Sequence, residues 1–184
     1  MKYDIEKIET YIYTYNIGVP DIIIWATSLI IGSTVVFLYF NRSNFMTFLR
    51  NMSWSFLIGY LFLVFCTTIV FRETSDHTKI CFQPLWSYRA LYDSVIAEII
   101  LNVILFTPLG FLLGIAMKTP NWVKIVIVGG GISMIIELAQ LLTRRGICNI
   151  DDVIHNTIGC CIGYTVLRSC MLMIRGAKVY YAHK

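Results

Sequence analysis

The amino-acid sequence predicts an all-α fold, a polytopic bundle of about five transmembrane helices. Of the 184 residues, 57% are hydrophobic and only 14% are charged, and the mean hydropathy is positive. Soluble domains carry about a quarter charged residues, so this composition excludes a water-soluble globule. The abundant Ile, Leu, Val, Phe and Tyr residues also exclude a disordered chain, because they would collapse in water. An integral membrane protein is the remaining class.

Five apolar stretches are long enough to cross a bilayer, since about 20 helical residues span a hydrocarbon core of roughly 30 Å. They cover residues 22–40, 53–71, 96–117, 122–142 and 153–174. The first two stretches contain no charged residue, whereas the other three contain ionisable ones. Residues 1–16 have apolar side chains at helical spacing, which predicts a short helix on the membrane surface, with a frayed tail as the alternative.

Five spans would place the two ends of the chain on opposite sides of the membrane. Lysine and arginine are divided almost equally between the sides, but on one side they are mixed with most of the acidic residues. Since basic residues accumulate in the cytoplasm, we expect the N-terminus outside, the C-terminus in the cytoplasm, and the connections 72–95 and 143–152 outside. The sequence leaves open whether Cys81 and Cys148, one in each connection, form a disulfide or remain free thiols.

Ionisable and amide side chains gather towards one end of the last three spans. Each ionisable group costs about 2.5 to 3.5 kcal/mol in hydrocarbon, so each indicates a buried partner or a watery cavity. Residues four apart lie on one helical face, which aligns Glu98 with Asn102. We therefore expect one polar pocket, formed by Arg72, Glu98, Asn102, Glu137, Gln140, Arg145, Asp151, Asp152 and Asn156. The alternative is a purely structural network of hydrogen bonds and ion pairs.

Recognised catalytic and metal-binding spacings are missing from the sequence. It contains no GxSxG elbow, no Walker loop and no CxxC or HxxxH pair, so we expect no metal and no cofactor, and no catalytic residue is identified. The dispersed basic residues do not indicate a nucleic-acid partner. The expected partners are membrane lipids. Glycines four residues apart, at Gly110 and Gly114 and at Gly159 and Gly163, allow close helix packing and self-association into a homo-oligomer.

Three stretches of the chain resemble the VanZ-like family of small bacterial membrane proteins. They are residues 102–113 (NVILFTPLGFLL), residues 135–140 (IIELAQ) and residues 145–163. The last stretch carries the family's run of acids, an asparagine and glycines, at Asp151, Asp152, Asn156, Gly159 and Gly163. The resemblance covers roughly residues 72–164, so the first span looks like an addition to a four-helix core. We expect residues 1–52 to contain the surface helix, the first span and a cytoplasmic loop. Residues 53–175 would then form the VanZ-like domain, and residues 176–184 would form a C-terminal tail.

The family resemblance implies lowered susceptibility to teicoplanin, a lipid-tailed glycopeptide antibiotic, in a bacterial cell membrane. We expect the pocket to bind or shield a lipid-linked cell-wall precursor or the lipoglycopeptide itself. In that hypothesis the arginines and rim amides hold phosphate or amide groups, and Glu98 and Glu137 orient the arginines.

Two other functions remain open from the sequence. An intramembrane enzyme would use Glu98, Glu137 or Asp151 as general acid or base on a lipid phosphate or acyl group. No nucleophile is evident, so the sequence favours binding over catalysis. A small proton-linked transporter would instead carry its proton on Glu137.

Overall fold

Helices make up most of the fold, as the sequence predicts. The computed structural model describes residues 21–40, 44–70, 72, 79–89 and 92–182, so the predicted surface helix over residues 1–16 lies outside the described residues. The described part contains the helices α1 (Asp21–Phe40), α2 (Phe45–Phe65), α3 (Asp93–Ala116), α4 (Trp122–Thr143) and α5 (Ile150–Ala182). A π-helical turn, Cys66–Val70, continues α2.

Four helical segments within the described residues are long and apolar enough to cross a membrane. They are Phe45–Val70, Asp93–Ala116, Trp122–Thr143 and Ile150–Arg175. They correspond to the last four predicted spans, which confirms the helical membrane bundle. The helix α1 is not among these four segments. That α1 forms a fifth span therefore stays a prediction.

The helix α2 begins earlier than the sequence predicts, at Phe45 instead of residue 53. The side chain of Asn44 caps it by accepting a hydrogen bond from the Thr47 backbone N–H at 2.7 Å. An N-cap of this type satisfies an amide that has no partner within the first helical turn. The segment interpreted as a loop is therefore helical from Phe45 onward.

The helices α3 and α5 share the most extensive contact among the described elements. Their backbones touch at glycines: a methyl group on Gly110 would collide with the Cys160 carbonyl oxygen, and one on Gly163 with the Thr107 carbonyl oxygen. Small residues permit this approach, as their spacing predicts. Side chains near the adjacent ends of α3 and α5 can therefore meet.

Two short strands meet at one end of the bundle, which the all-α prediction missed. Strand β1 (Lys79–Cys81) pairs in parallel with β2 (Ile147–Asn149), so the connections 72–95 and 143–152 lie at the same end, called here the β end. Cys81 lies opposite Asn149, and Cys148 lies opposite Ile80. Neighbouring register positions face opposite sides of a sheet, and both cysteines are free thiols.

Candidate functional site

Polar side chains from the π-helical turn and from α3, α4 and α5 line one cavity near the β end. Its volume is about 110 Å³, which is large enough for a few water molecules or one small functional group. One part of its wall is apolar. The polar lining residues are Thr67, Thr68, Arg72, Glu98, Asn102, Glu137, Gln140, Asp152 and Asn156, and the apolar ones are Leu101, Leu105, Phe106 and Ile136.

Seven of the nine residues in the sequence-predicted pocket line this cavity: Arg72, Glu98, Asn102, Glu137, Gln140, Asp152 and Asn156. The other two, Arg145 and Asp151, do not, and their placement in the pocket is corrected. Both side chains bind backbone groups of neighbouring segments instead. The structure thus gathers residues that are widely separated along the chain.

Three carboxylates and one guanidinium form the charged part of the lining. Glu137 is only 3% exposed and accepts a hydrogen bond from the Asn149 backbone N–H at 2.9 Å. Asp152 accepts one from the Asn102 amide at 2.9 Å, a bond that joins α5 to α3. The guanidinium of Arg72 interacts electrostatically with both of these carboxylates and with Glu98. Negative charge therefore exceeds positive charge around the cavity when these groups are ionised.

Two buried amide side chains add hydrogen-bond acceptors to the lining. Gln140 donates its Nε2 hydrogen to the Thr68 carbonyl oxygen at 3.1 Å, and Asn156 donates its Nδ2 hydrogen to the Ser133 hydroxyl at 2.8 Å. Among the described residues, Oε1 of Gln140 and Oδ1 of Asn156 have no hydrogen-bond partner. A buried polar atom without a partner costs free energy. Both oxygens are buried among the residues that line the cavity.

The π-helical turn brings two hydroxyls that the sequence analysis missed, on Thr67 and Thr68, into the lining. Both hydroxyls donate to the Val64 carbonyl oxygen, at 2.9 and 2.7 Å, which is the back-bonding typical of threonine in membrane helices. Two adjacent threonines at the end of an otherwise apolar span were the available signal. Both threonines belong to the π turn, and π turns often occur at functional sites.

The side chain of Arg145 binds backbone carbonyl oxygens at the end of this π turn. Its Nη1 donates to the carbonyl oxygens of Ile69 at 3.0 Å and of Arg72 at 3.1 Å, and also to that of Val70. The preceding residue, Arg144, ends α4 in the left-handed region with φ 55°, and this turn directs Arg145 back towards α2. Such a helix end satisfies late carbonyls of the helix. Arg145 therefore stabilises the frame of the site from outside the cavity.

The connection between β1 and α3 packs on the start of α5. Asp151, which is fully buried, accepts hydrogen bonds from the backbone N–H groups of Leu85 at 2.6 Å and Ser87 at 2.8 Å. Tyr88 and His155 form a further hydrogen bond of 3.0 Å between hydroxyl and Nε2. Leu85 adopts φ 61°, an uncommon conformation for a branched residue. Asp151 thus holds this connection in a bent conformation at the β end.

Cys148 lies in β2, near the carboxylates of Glu137 and Asp152. Its side chain is only 4% exposed, and burial, together with the nearby carboxylates of Glu137 and Asp152, raises the pKa of the Cys148 thiol. The thiol form is favoured because a thiolate in this position would be poorly solvated and repelled by those carboxylates. Cys148 is therefore a weakly reactive packing residue.

A comparison with known protein families identifies the chain. The sequence model of the VanZ/LLP1 family matches residues 26–173, whereas no curated protein and no solved structure gives a significant match. The match begins inside α1 and includes the four apolar helices. The four apolar helices and the family match agree on a multi-pass membrane protein. The chain belongs to the VanZ/LLP1 family.

Proposed function

We propose that the protein lowers susceptibility to teicoplanin by binding or shielding a ligand at the bacterial cell envelope through the polar cavity. The ligand is a lipid-linked cell-wall precursor or the lipoglycopeptide itself. Membership of the VanZ/LLP1 family supports the antibiotic-related part of the proposal. The cavity, with its charged lining inside apolar spans, supports binding as the mode of action.

The observation that carries the proposal is the gathering of carboxyl groups from separate helices around one cavity. Ionisable residues inside membrane spans are expensive and are therefore associated with function. Glu98, Glu137 and Asp152 line the same cavity, together with the guanidinium of Arg72. Helix capping alone does not require these side chains to converge. Their convergence favours a ligand site over a network that serves the fold alone.

The acidic residues of the cavity gather at one end of the bundle, which supports an exterior position for the cavity. At the end opposite the β end, a cleft is lined by Arg50, Lys118 and Lys124, and none of its lining residues is acidic. Basic residues at helix ends favour the cytoplasmic side. We therefore assign that end to the cytoplasm and the β end to the exterior.

Labelling in intact cells tests this orientation. Cys81 is partly exposed at the β end, and we expect it to react with a membrane-impermeant thiol reagent. The matched control is a Cys81→Ser chain with a Lys118→Cys substitution, which we expect to stay unlabelled until the cells are opened. The reverse pattern would place the β end in the cytoplasm and remove envelope ligands from reach.

The central experiment for function replaces Glu137 by glutamine. The glutamine oxygen can still accept the hydrogen bond from the Asn149 backbone N–H, so the substitution removes charge with little change of shape. We expect Glu137→Gln to abolish the decrease in teicoplanin susceptibility that the unmodified protein gives at the same membrane level. Asp93→Asn removes an acid in the first turn of α3 that does not line the cavity and should leave susceptibility as in the unmodified protein. Equal protection by Glu137→Gln would contradict a functional cavity.

A further inference from the structure

We infer that the cleft at the end opposite the β end, called here the basic cleft, binds the phosphate head group of an anionic phospholipid from the surrounding membrane. The basic cleft is separate from the polar cavity, and no described residue lines both. The inference goes beyond the proposed function and does not depend on it. It narrows the expected membrane lipids to those whose head group has a net negative charge.

The basic cleft lies between the start of α2, the connection from α3 to α4, and the first turns of α4. Arg50 comes from α2, Lys118 from the connection and Lys124 from α4. The volume of the cleft is about 470 Å³, which is large enough for a phosphate head group. Basic residues are common at cytoplasmic helix ends, but topology alone does not require them to line one cleft. Their convergence therefore indicates a site for an anion.

The lining of the basic cleft carries positive charge without a neutralising acid. None of the described residues that line it is acidic, and the chain segments that supply the lining, residues 41–54 and 112–128, contain no Asp or Glu. The ammonium of Lys124 donates to the carbonyl and hydroxyl oxygens of Thr119 at 2.9 and 2.7 Å, and both acceptors are uncharged. Like charges that lie close together repel one another, so an anion in the cleft would offset this repulsion.

A phosphate group fits these side chains in hydrogen bonding as well as in charge. Ionised phosphate oxygens accept hydrogen bonds, whereas arginine and lysine side chains only donate them. The guanidinium of Arg50, which is half-buried, can donate to two phosphate oxygens at once, and each lysine ammonium adds a compact positive charge. Basic pockets between membrane helices bind anionic lipid head groups in this way.

The apolar part of the basic cleft favours a lipid over a free phosphate ion. Trp54, Met117 and Val128 line the cleft together with the basic residues. Trp54 is 44% exposed, and an indole ring prefers the boundary between head groups and acyl chains. On α4 the side chains of Val123 and Ile127 are 65% and 66% exposed, so acyl chains can pack along this helix. A free phosphate ion would leave this apolar surface unused.

Equilibrium binding of radiolabelled dioleoyl phosphatidylglycerol to the purified full-length protein tests the inference. A scintillation proximity assay in dodecyl maltoside should show saturable binding of this anionic lipid. Dioleoyl phosphatidylcholine has the same acyl chains and phosphate but no net charge, and we expect it to compete at least about tenfold more weakly. Sodium phosphate should displace the labelled lipid no more than sodium chloride does at the same ionic strength.

Matched variants locate the binding. Arg50→Gln and Lys118→Gln each remove one charge from the basic cleft and should weaken phosphatidylglycerol binding at least about fivefold. Arg168→Gln removes the same charge as Arg50→Gln from an exposed position on α5 that does not line the cleft, and it should change binding less than about twofold because exposed charges are screened. Lys118 is exposed, so its replacement tests the site without disturbing packing, and circular dichroism of each variant confirms that the helices are retained.

Three results would overturn the inference. Equal competition by phosphatidylcholine would show that the protein does not select a negative head group. Equal weakening by Arg50→Gln and Arg168→Gln would show a response to net charge instead of a site. Displacement by sodium phosphate beyond the effect of chloride would show that the cleft accepts free phosphate, and a lipid ligand would be wrong. None of these results bears on the teicoplanin test of Glu137→Gln, which concerns the other end of the bundle.

Discussion

The hydrogen bonds between Asp151 and the connection after β1 lead to a quantitative prediction. Its carboxylate accepts two backbone N–H groups, from Leu85 at 2.6 Å and Ser87 at 2.8 Å. In Asp151→Asn one oxygen becomes an NH2 group, which cannot accept, so one bond is lost and the other becomes neutral. A hydrogen bond to a charged group contributes about 1.5 to 3 kcal/mol and a neutral one about 1 kcal/mol. The expected loss is therefore about 3 kcal/mol.

This loss should appear as local opening of the connection. About 3 kcal/mol corresponds to roughly a hundredfold change in an equilibrium constant. The positive φ of Leu85 favours opening equally in both chains, so it does not change the predicted ratio. The helices pack through α3 and α5 independently of these two bonds, so the bundle should remain folded.

Hydrogen–deuterium exchange of the peptide covering residues 82–89 measures the opening, since native exchange reports local unfolding equilibria. We expect the buried Ser87 amide to exchange about a hundredfold faster in Asp151→Asn. Exchange in α3 and α4 should be unchanged, and Asp93→Asn serves as the charge-matched control. Exchange at Ser87 within about threefold of the unmodified protein, well below that estimate, would refute the assigned role of Asp151.

Three further predictions concern packing, the helix ends and the thiols. Gly163→Ala should destabilise the protein by about 1 to 3 kcal/mol, because its methyl group meets the backbone of α3. Gly131→Ala, where the space is open, should be neutral or stabilising by up to about 1 kcal/mol. Thermal unfolding measures the order of the two stabilities, and a reversed order would contradict the close helix contact. Arg145→Gln should lower the free energy of unfolding by at least about 2 kcal/mol in denaturant titrations, since it loses charged hydrogen bonds to carbonyl oxygens. An unchanged unfolding midpoint would contradict the stabilising role of Arg145. Cys81 should react with a thiol reagent before Cys148. Because burial raises the pKa of Cys148, the reaction of Cys148 should accelerate at pH values above the ordinary thiol range. Equal reaction rates of the two thiols at neutral pH, measured by mass spectrometry, would contradict the burial of Cys148.

The positions of the membrane helices were largely predictable from the sequence. Uninterrupted apolar length defines a span, because every backbone polar group must be satisfied within the hydrocarbon. The meeting of Glu98, Glu137 and Asp152 followed from their distance to the helix ends at about 1.5 Å per residue. The earlier start of α2 was not predictable from apolar length, since it depends on the Asn44 side-chain cap.

The remaining features depend on contacts between distant segments. The β1 and β2 strands are three residues each, too short for an alternating pattern, and they form only because α3 and α4 return the chain to one end. Hydropathy cannot distinguish an arginine that faces a cavity from one that binds backbone carbonyls, so Arg145 was misplaced. The capture of the Leu85 and Ser87 amides by Asp151 likewise requires the folded positions of both segments.

Thiol crosslinking in native membranes tests most directly whether polar residues of α3 and α5 meet in one cavity. In a chain without its own cysteines, Asn102→Cys and Asp152→Cys replace side chains that are joined at 2.9 Å. A short bismaleimide, which makes up the side-chain length that a direct disulfide would lack, should link the two thiols. The control pair of Ile100→Cys with Asp152→Cys should remain unlinked, because Ile100 is exposed on another face of α3. Efficient linking of the control pair, or none at positions 102 and 152, would contradict the arrangement.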